Sequence, residues 1–341
     1  MEIIMPAAGL STRFPNMRPK YTLTDFTGKM MFEKAISPLV GKYHITIGLL
    51  KEHEEKYNVS KYIEQEYGDK ISVVVLDERT TGPADTVYQI LKRINLDPEE
   101  EILIKDCDSF FDHEYQEGNY VCVSSIKDHE VLKRLGSKSF ITTNNQGIIN
   151  SIIEKQVVSD KFCVGGYKFE SASMFIDTFE ELKSAHVDEI FVSHIIEECL
   201  NKEHIFKESM VWNYTDVGTA EEWLEYNDKA VIFCDIDGTI IKAQPRHAYD
   251  EKPEELEQNI SRLLELQDQG SLIIFTTARP ERIHTHINKM LTNLGFVNFK
   301  LITGLPNTKR ILINDYNEAN PFPRAIAINL KRDHDNLRDY L

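Results

Sequence analysis

The stretch "EIIMPAAGLSTRFPNMRPK", residues 2–20, begins with a short apolar run and continues into a loop of small and basic residues. The run is typical of a β-strand, and the small residues after it would let backbone N–H groups approach phosphate oxygens. Arg13 and Lys20 supply positive charge at the same place. The stretch therefore predicts a phosphate site, with a surface turn carrying incidental basic residues as the alternative.

Strand-like and helix-like segments alternate along the chain after this loop. The strand-like runs lie at 44–50, 71–76 and 101–106, and the helix-like segments lie at 30–39, 52–67, 83–95, 171–183 and 188–200. This alternation predicts an α/β fold with a parallel sheet and helices on both faces. Between about 119 and 170 one strand-like run follows another, which predicts an antiparallel insertion or extension of that sheet.

A second alternation begins with "VIFCDIDGTII", residues 231–241. Strands are predicted at 231–234, 271–276, 298–302, 310–314 and 325–329, and helices at 253–267 and 280–294. A chain of 341 residues is long enough to bury more than one core. We therefore predict two domains, residues 1–227 and 228–341, joined near 226–229.

Charge and composition exclude several classes of function. The formal net charge of −16 is opposite to the basic footprint that a nucleic-acid binder needs. The longest apolar runs are strand-sized and no basic leader opens the sequence, so we expect a cytoplasmic protein that does not bind membranes. The five cysteines occur singly, which argues against a disulfide framework and against a zinc site.

The first two thirds of the chain resembles the sugar nucleotidyltransferase family, the nucleotide-sugar pyrophosphorylases. The opening pattern of that family is A-A-G-x-G-T-R followed by Pro-Lys, and Ser11 stands where the family has its second glycine. The matching residues are Ala7, Ala8, Gly9, Thr12, Arg13, Pro19 and Lys20. Four further matches follow in the family's order: "TTGPADTV" (80–87), "KDCDSFF" (105–111), "IIEK" (152–155) and "DVGT" (216–219).

The resemblance implies a Rossmann-like mixed-sheet nucleotidyltransferase fold and a role for each matched position. Arg13 and Lys20 would act on the triphosphate, and Asp108 and Asp216 would hold Mg²⁺. Glu154 and Lys155 would bind the acceptor, although Lys155 can equally be an exposed lysine. The implied nucleotide-binding residues are Ala7, Ala8, Gly9, Ser11, Thr12, Thr81, Gly82 and Asp106. Asp106 can equally be a second metal ligand or a cap at a strand end.

The chemistry agrees with these roles. Nucleotidyl transfer requires an anionic phosphate to attack the α-phosphate of a nucleoside triphosphate, so metal ions and cations must neutralise like charges. A glycosyltransferase of related fold is the rival interpretation, because it also ends a strand in an acidic metal motif. The early arginine and the Pro-Lys pair favour a triphosphate that loses pyrophosphate.

The sequence "DIDGT", residues 235–239, resembles the first motif of the haloacid dehalogenase superfamily of phosphatases. The resemblance implies that Asp235 is the nucleophile and that Asp237 is the general acid and base. Thr277 would bind the phosphoryl group, with Thr276 as the alternative, and Lys309 would neutralise it. The implied Mg²⁺ ligands are Asp235, Asp237 and Asp315. A degenerate domain without activity is the competing interpretation.

The later motifs also bear on the architecture of this half. The family often has two acids at its last motif, where this chain has Asn314 and Asp315. The segments after Thr277 and after the first motif are too short for a cap domain. We therefore predict a capless haloacid dehalogenase-like Rossmannoid fold with an open cleft, and we expect His247, His284 and His286 to lie on its surface.

Together these patterns predict a bifunctional enzyme, a nucleotidyltransferase fused to a phosphatase, with Mg²⁺ at both sites. Its ligands would be a nucleoside triphosphate and a phosphorylated sugar or polyol, as in the supply of precursors for capsule and other surface polysaccharides. A non-catalytic binding protein is the remaining alternative. The sequence does not identify the nucleobase or the sugar, and it leaves open whether the chain forms a homo-oligomer.

Overall fold

The computed structural model describes residues 1–129, 134–185, 189–249, 251–314 and 325–341. These residues form two compact units, Met1–Leu224 and Glu225–Leu341. Each unit has its own β-sheet and its own cluster of buried apolar side chains.

The first unit is a mixed α/β structure. Its strands are β1 Glu2–Pro6, β2 His44–Leu50, β3 Ile71–Leu76, β4 Ile102–Lys105, β5 Ser109–Asp112, β6 Asn119–Ser125, β7 Phe140–Thr143, β8 Ile149–Ile153, β9 Lys161–Phe169, β10 Phe206–Met210 and β11 Trp212–Asp216. Its helices are α1 Met31–Ile36, α2 Lys51–Tyr57, α3 Val59–Tyr67, α4 Pro83–Leu91, α5 Ala172–Ser184, α6 Val192–Asn201 and α7 Ala220–Tyr226, the last of which continues into the second unit.

The main sheet has the strand order β10-β6-β9-β4-β1-β2-β3, and β7 and β8 extend it beside β9. Strands β1 to β4 are parallel, whereas β9 runs antiparallel to both β4 and β6. The predicted alternation of parallel strands and helices is therefore confirmed, as are the antiparallel strands predicted for residues 119–170. A separate antiparallel ribbon is formed by β5 and β11.

Apolar side chains from α4, α5 and α6 pack against strands of this sheet. Val87, Phe175 and Ile195 belong to the same buried cluster as Ile4 and Ile104 of the two central strands. Burial of large apolar side chains contributes about 1.5–3 kcal/mol each, so this cluster anchors the strand ends that carry the polar residues described below. The helix predicted at 52–67 is two helices, because Asn58 has a left-handed φ of 48° between α2 and α3.

The second unit contains a three-stranded parallel sheet. The elements that follow α7 are β12 Val231–Asp235, α8 Glu257–Asp268, β13 Leu272–Thr276, α9 His284–Asn293 and β14 Lys300–Ile302, in the sheet order β12-β13-β14. Leu263 of α8 and Ile287 of α9 are fully buried in one cluster with Phe275 of β13. His247, His284 and His286 are exposed, as predicted.

Two predicted strands of this unit do not form. Residues 310–314 and 325–329 are outside any strand, and Ile313 is 88% exposed. The prediction followed the apolar composition of these segments. Composition alone does not make a strand, since β-propensity expresses packing and pairing with a neighbouring strand.

The structure also bears on the expectations about membranes and about the five cysteines. Within the described ranges, no helix combines the length and the apolar character needed to cross a membrane. All five cysteines are buried as free thiols.

Candidate active sites

The first site lies where the parallel strands β1 and β4 end side by side. Glu2 of β1 pairs with Ile102 of β4, so the loop that follows Pro6 and the acidic segment that follows Lys105 emerge at the same edge of the sheet. Functional groups collect at the carboxyl ends of parallel strands for this reason. The loop of residues 7–20 and the acids Asp106 and Asp108 are thus brought together.

The β5–β11 ribbon brings Asp216 to Asp108. Asp216 pairs with Ser109 across the ribbon, and the N–H of Val217 donates to the carbonyl of Asp108 at 2.9 Å. The position of a β-carbon on Gly218 would be 3.1 Å from Oδ2 of Asp108 and 3.1 Å from Oδ1 of Asp216. These two oxygens therefore lie within about 6.2 Å of each other, and a side chain at position 218 would intrude between them.

Each of these two carboxylates is paired with a lysine. Nζ of Lys20 is 2.5 Å from Oδ2 of Asp108, and Nζ of Lys138 is 2.5 Å from Oδ2 of Asp216. Burial opposes the charge on Asp108, but the positive charges of Lys20, Arg13 and Lys105 together hold the pKa of Asp108 below its usual range. Asp108 is thereby kept in the ionised form that a metal ligand needs.

Asp106 has a different environment from Asp108. Its backbone N–H donates to the carbonyl of Gly165 at 2.8 Å, and its side chain fills the space that a β-carbon on Gly165 would need. Burial and the neighbouring charge of Asp108 both raise the pKa of Asp106 above its usual range. Two adjacent acids are thus separated in proton affinity by their surroundings.

A cavity of about 380 Å³ joins these groups to the predicted acceptor residues. The predicted site residues in its lining are Arg13, Asp106, Asp108, Glu154, Lys155 and Asp216. These residues come from four distant segments of the chain, which therefore meet at one opening. A larger open groove of about 1000 Å³ lies between α8 and α9 of the second unit, and its lining contains none of the predicted catalytic, binding or metal-ligand residues.

Glu154 and Lys155, the predicted acceptor residues, lie directly after β8. Ser139 and Ser193 both donate hydrogen bonds from their hydroxyls to Oε2 of Glu154. Nζ of Lys155 lies 4.0 Å from the ring centre of Phe191, where a cation is attracted to the face of the ring. Lys155 is exposed and lines the cavity.

The predicted nucleotide loops are built in different ways. Ala7 and Ala8 are buried, whereas Gly9 is exposed and has open space where a β-carbon would be, and Thr12 is exposed. The N–H and the hydroxyl of Thr81 both donate to Asp85, at 2.9 Å and 3.1 Å. A side chain at Gly82 would press against Glu189 and Ile190, so this glycine is explained by packing within the chain.

Ser11 occupies the position at which the sequence departs from the A-A-G-x-G-T-R pattern. Its φ of 54° is left-handed, a conformation that favours glycine. Its hydroxyl accepts a hydrogen bond of 2.9 Å from the backbone N–H of Lys20. The serine therefore keeps a glycine-like turn and adds a contact that fixes Lys20.

Substituting Ser11 with alanine and with glycine should separate the effect of its left-handed backbone from the effect of its hydrogen bond to Lys20. Ser11→Ala keeps the left-handed strain and loses the hydrogen bond to Lys20, so we expect a loss of about 1–2 kcal/mol in the free energy of unfolding. Ser11→Gly loses the same bond but relieves the strain, so the net change should be within about 0.5 kcal/mol. Urea denaturation followed by tryptophan fluorescence measures both, because Trp212 and Trp223 lie in the first unit. Equal losses in the two variants would contradict the assignment of strain.

The donor set at Asp108 and Asp216 fits Mg²⁺. In the part of the chain that the structure describes, no group of three or more His, Cys, Asp or Glu is arranged to hold a metal by protein ligands alone. Mg²⁺ commonly takes one or two carboxylates and completes its shell with substrate phosphates and water. Two facing carboxylates beside a cavity meet that requirement.

The second site begins at the carboxyl end of β12. Asp235 is the last residue of that strand and is exposed, and Asp237 follows in the turn. Thr277 comes directly after β13, the neighbouring parallel strand, and its hydroxyl donates to Oδ2 of Asp237 at 2.8 Å. Three of the predicted residues are thus adjacent, and the hydroxyl of Thr277 is used by Asp237. The Thr276 hydroxyl points to the carbonyl of Cys234 at 3.4 Å.

Arg279 holds the carboxylate of Asp237 in place. Its Nε and Nη2 donate to Oδ1 of Asp237 at 2.9 Å and 2.6 Å, and the arginine is only 1% exposed. Gln244 and the ring of Tyr249 contact the same guanidinium. Asp237 therefore has a fixed orientation before any ligand binds, while Asp235 remains accessible.

The other predicted members of this site are less closely placed. Lys309 is exposed, and Asp315 lies outside the described residues. Burial and the charge of Asp237 raise the pKa of Asp235, and Arg310 and Arg332 act in the opposite direction. Arg332 approaches the motif turn, because a β-carbon on Gly238 would meet its side chain at 2.9 Å. The cations that act on Asp235 are thus arginines rather than Lys309.

Replacing Arg279 with methionine should destabilise the second unit. Removing one partner of a buried ion pair typically costs about 3–5 kcal/mol, and we expect about 3 kcal/mol because Asp237 is partly exposed. Hydrogen exchange of β12 and β13 should accelerate, whereas tryptophan fluorescence, which reports the first unit, should keep its midpoint. Arg282→Met, at an exposed arginine one turn further on, is the control and should leave both measurements unchanged. Unchanged exchange in Arg279→Met would contradict the proposed clamp.

Sequence reasoning missed Lys138, Arg134 and Arg279. Arg279 had a signal, since "TTAR" was matched for its threonine while its arginine received no role. Lys138 and Arg134 lie in "RLGSK", which carries no motif, and they reach the cavity only because β7 is placed beside β9.

Three solved structures share the fold of the N-terminal unit. A nucleoside-diphosphate-sugar pyrophosphorylase from Vibrio cholerae RC9 is 18% identical, with a TM-score of 0.56 over 65% of this chain and 98% of that chain. A protein described as a glucose-1-phosphate thymidylyltransferase from Bacillus anthracis, in complex with a sucrose, is 20% identical, with a TM-score of 0.54 over 66% and 93%. The inositol-1-phosphate CTP transferase from T. maritima is 15% identical, with a TM-score of 0.52 over 65% and 90%.

These similarities define the class of the N-terminal unit by its architecture. It has a nucleotidyltransferase-like Rossmann sheet, and the three similar chains are matched over nearly their whole length. At 15–20% identity the common property is the fold. No protein-family model matches the sequence, and a search of curated proteins gives no match.

Proposed function

We propose that the N-terminal unit transfers a nucleotidyl group from a nucleoside triphosphate to a sugar phosphate or polyol phosphate and releases pyrophosphate. The observation that carries the proposal is the cavity that joins Arg13, two facing carboxylates and the Glu154–Lys155 pair. The fold shared with three nucleotidyltransferases supports it.

In this reaction the cationic side chains would bind the triphosphate and the two carboxylates would bind the metal. An oxygen of the acceptor phosphate forms a bond to the α-phosphorus, and the bond from that phosphorus to the bridging oxygen breaks, so pyrophosphate leaves with the electron pair. The acceptor phosphate is already an anion, so no side chain has to remove a proton from it. Arg13 and Lys20 neutralise the triphosphate, and Mg²⁺ between Asp108 and Asp216 would add positive charge at the reacting phosphates.

The acceptor would be oriented by the opposite wall of the cavity. Glu154 is fixed by Ser139 and Ser193 and presents a carboxylate that can accept hydrogen bonds from sugar or polyol hydroxyls. Holding both reactants in one geometry removes much of the entropic cost of a bimolecular reaction. The cavity therefore has a cationic side for phosphates and a hydroxyl-binding side for the acceptor.

A substrate matrix tests this proposal. Purified protein with Mg²⁺ is incubated with CTP, UTP, dTTP or GTP against a panel of phosphorylated sugars and polyols, and pyrophosphate and inorganic phosphate are measured separately. We expect pyrophosphate to be released with one restricted set of pairs. Absence of pyrophosphate with every pair, together with transfer from nucleotide sugars, would instead support a glycosyltransferase.

We propose that the C-terminal unit hydrolyses a phosphate monoester through an aspartyl phosphate on Asp235. The observation that favours it is the accessible carboxylate of Asp235 beside Asp237, whose orientation Arg279 and Thr277 fix. Asp235 would attack the phosphorus while Asp237 gives a proton to the departing alcohol oxygen. Water activated by Asp237 would then release inorganic phosphate. A substrate related to the acceptor or product of the first unit would suit the supply of capsule precursors, with Mg²⁺ held by Asp235 and Asp315.

A further inference from the structure

Lys138 is a nearly buried cation at the centre of the first site. Its Nζ donates to the hydroxyl of Tyr214 at 2.7 Å and to Oδ2 of Asp216 at 2.5 Å. The rings of Phe162 and Tyr214 flank it, each with its centre 5.4 Å from Nζ, and the side chain is 10% exposed. Lys138 is thus held firmly, and it still lines the cavity.

Arg134 stands beside Lys138 and adds a second charge. Its Nε and Nη2 donate to the two carboxylate oxygens of Glu222 at 3.0 Å and 2.5 Å. Nη2 also lies 3.6 Å from Oδ2 of Asp216, and the arginine lines the same cavity. A planar guanidinium fixed on one side by Glu222 keeps further donors for a phosphate.

Both oxygens of Asp216 are engaged in this arrangement. Oδ1 accepts a hydrogen bond of 2.9 Å from the N–H of Gly218, and Oδ2 faces Lys138 and Arg134. A divalent cation that binds Asp216 through Oδ2 must therefore displace the ammonium of Lys138, and one that binds through Oδ1, the oxygen near Asp108, is repelled by that ammonium. An ammonium that leaves a carboxylate inside a cavity needs another anion close by, because an unpaired buried charge is costly.

The position of Lys138 indicates which anion that is. Arg13 and Lys20 belong to the loop after β1, whereas Lys138 immediately precedes Ser139, which binds Glu154 on the hydroxyl-binding wall. Lys138 thus lies between the metal carboxylate Asp216 and the wall that would hold a sugar or polyol. The phosphate of a bound acceptor would lie between the same two features.

We propose that Lys138, with Arg134 beside it, binds the phosphate group of the acceptor and moves to it from Asp216 when a divalent cation takes that carboxylate. The ligand class is the phosphate monoester dianion of a sugar or polyol. Acceptor and metal then bind cooperatively, because the acceptor phosphate draws the ammonium of Lys138 away from Asp216 and the metal releases that ammonium for the phosphate. This inference rests on the nucleotidyltransferase function proposed above.

The first test measures metal binding without turnover. Mn²⁺ is titrated into the substrate-free full chain and free Mn²⁺ is followed by electron paramagnetic resonance, with and without methyl phosphate, and with a protein-free control for complexes in solution. Methyl phosphate should tighten Mn²⁺ binding about threefold or more in the wild type. In Lys138→Met, Mn²⁺ should bind at least as tightly as in the wild type, and methyl phosphate should have no effect. Weaker Mn²⁺ binding in Lys138→Met would overturn the proposal.

The second test separates the two substrates in the pyrophosphate assay. Lys138→Met should raise the KM for the phosphorylated acceptor by about 10- to 100-fold, the range expected for a charged hydrogen bond, and should change the KM for the triphosphate less than about threefold. An equal rise in both KM values would overturn the assignment to the acceptor. Lys127→Met, which removes an exposed lysine paired with Asp160, is the matched control and should change neither value.

Two further results keep the outcome decisive. Lys138→Arg retains the charge and should recover most of the acceptor affinity. Lys138→Gln, which removes the charge and keeps a hydrogen-bond donor, replaces Lys138→Met in both tests if circular dichroism shows that the methionine variant is unfolded. If the wild type releases no pyrophosphate with any substrate pair, the proposed function fails. The Mn²⁺ titration then still decides whether Lys138 exchanges between Asp216 and a phosphate monoester.

Discussion

Replacing Asp108 with asparagine is expected to slow pyrophosphate release by about a thousandfold or more. Asp108 is one of the two carboxylates that flank Gly218, and it forms an ion pair with Lys20. In the proposed function Asp108 is a metal ligand, so losing its charge would weaken the metal site and change the field at the reacting phosphates, an effect of several kcal/mol on the barrier. The measurement is kcat/KM for pyrophosphate release at saturating Mg²⁺.

The fold of the first unit should survive Asp108→Asn. Asparagine keeps an oxygen that can accept from Lys20, so we expect the free energy of unfolding to fall by less than about 3 kcal/mol. Asp112→Asn, at the far end of strand β5, which begins directly after Asp108, lies outside the cavity; it is the matched control and should retain full activity. If Asp108→Asn keeps more than a tenth of the activity, Asp108 is not a metal ligand in the reaction.

Replacing Asp235 with asparagine is expected to abolish phosphate release, by a factor of about 10⁴ or more. An amide is a poor nucleophile, and removal of a catalytic nucleophile commonly costs several orders of magnitude. Inorganic phosphate is measured with the substrates and products identified in the matrix described above. In the wild type, rapid quenching and borohydride reduction should convert a phosphorylated Asp235 to homoserine, which mass spectrometry detects.

Pyrophosphate release provides the internal control for Asp235→Asn. Asp235 lies in the second unit and the nucleotidyltransferase cavity in the first, so this variant should release pyrophosphate at the wild-type rate. Asp268→Asn, at an exposed acid at the end of α8, should leave both activities unchanged. Homoserine at another aspartate, or full phosphate release by Asp235→Asn, would show that Asp235 is not the nucleophile.

The elements of the first unit were predictable because their sequence signals are local. A strand such as β1 is set by a run of adjacent apolar residues, and the loop after it by small residues that permit a tight turn. The short helix break at Asn58 was not predicted, since helical periodicity continues on both sides of it. In the second unit, the apolar run at 311–313 has the composition of a strand without a paired neighbour among the described residues.

The sequence by itself determined the alternation of strands and helices, the basic loop after β1, and the acids that follow β4 or lie at the end of β12, because these depend on residues next to each other in the chain. Only the tertiary structure decided that Asp216 faces Asp108, that Lys138 forms an ion pair with Asp216, and that Arg279 forms one with Asp237. The ion pairs join residues 42 and 78 positions apart. A charge acts through space, so its partner is set by how the strands and turns pack together rather than by the spacing of residues in the sequence.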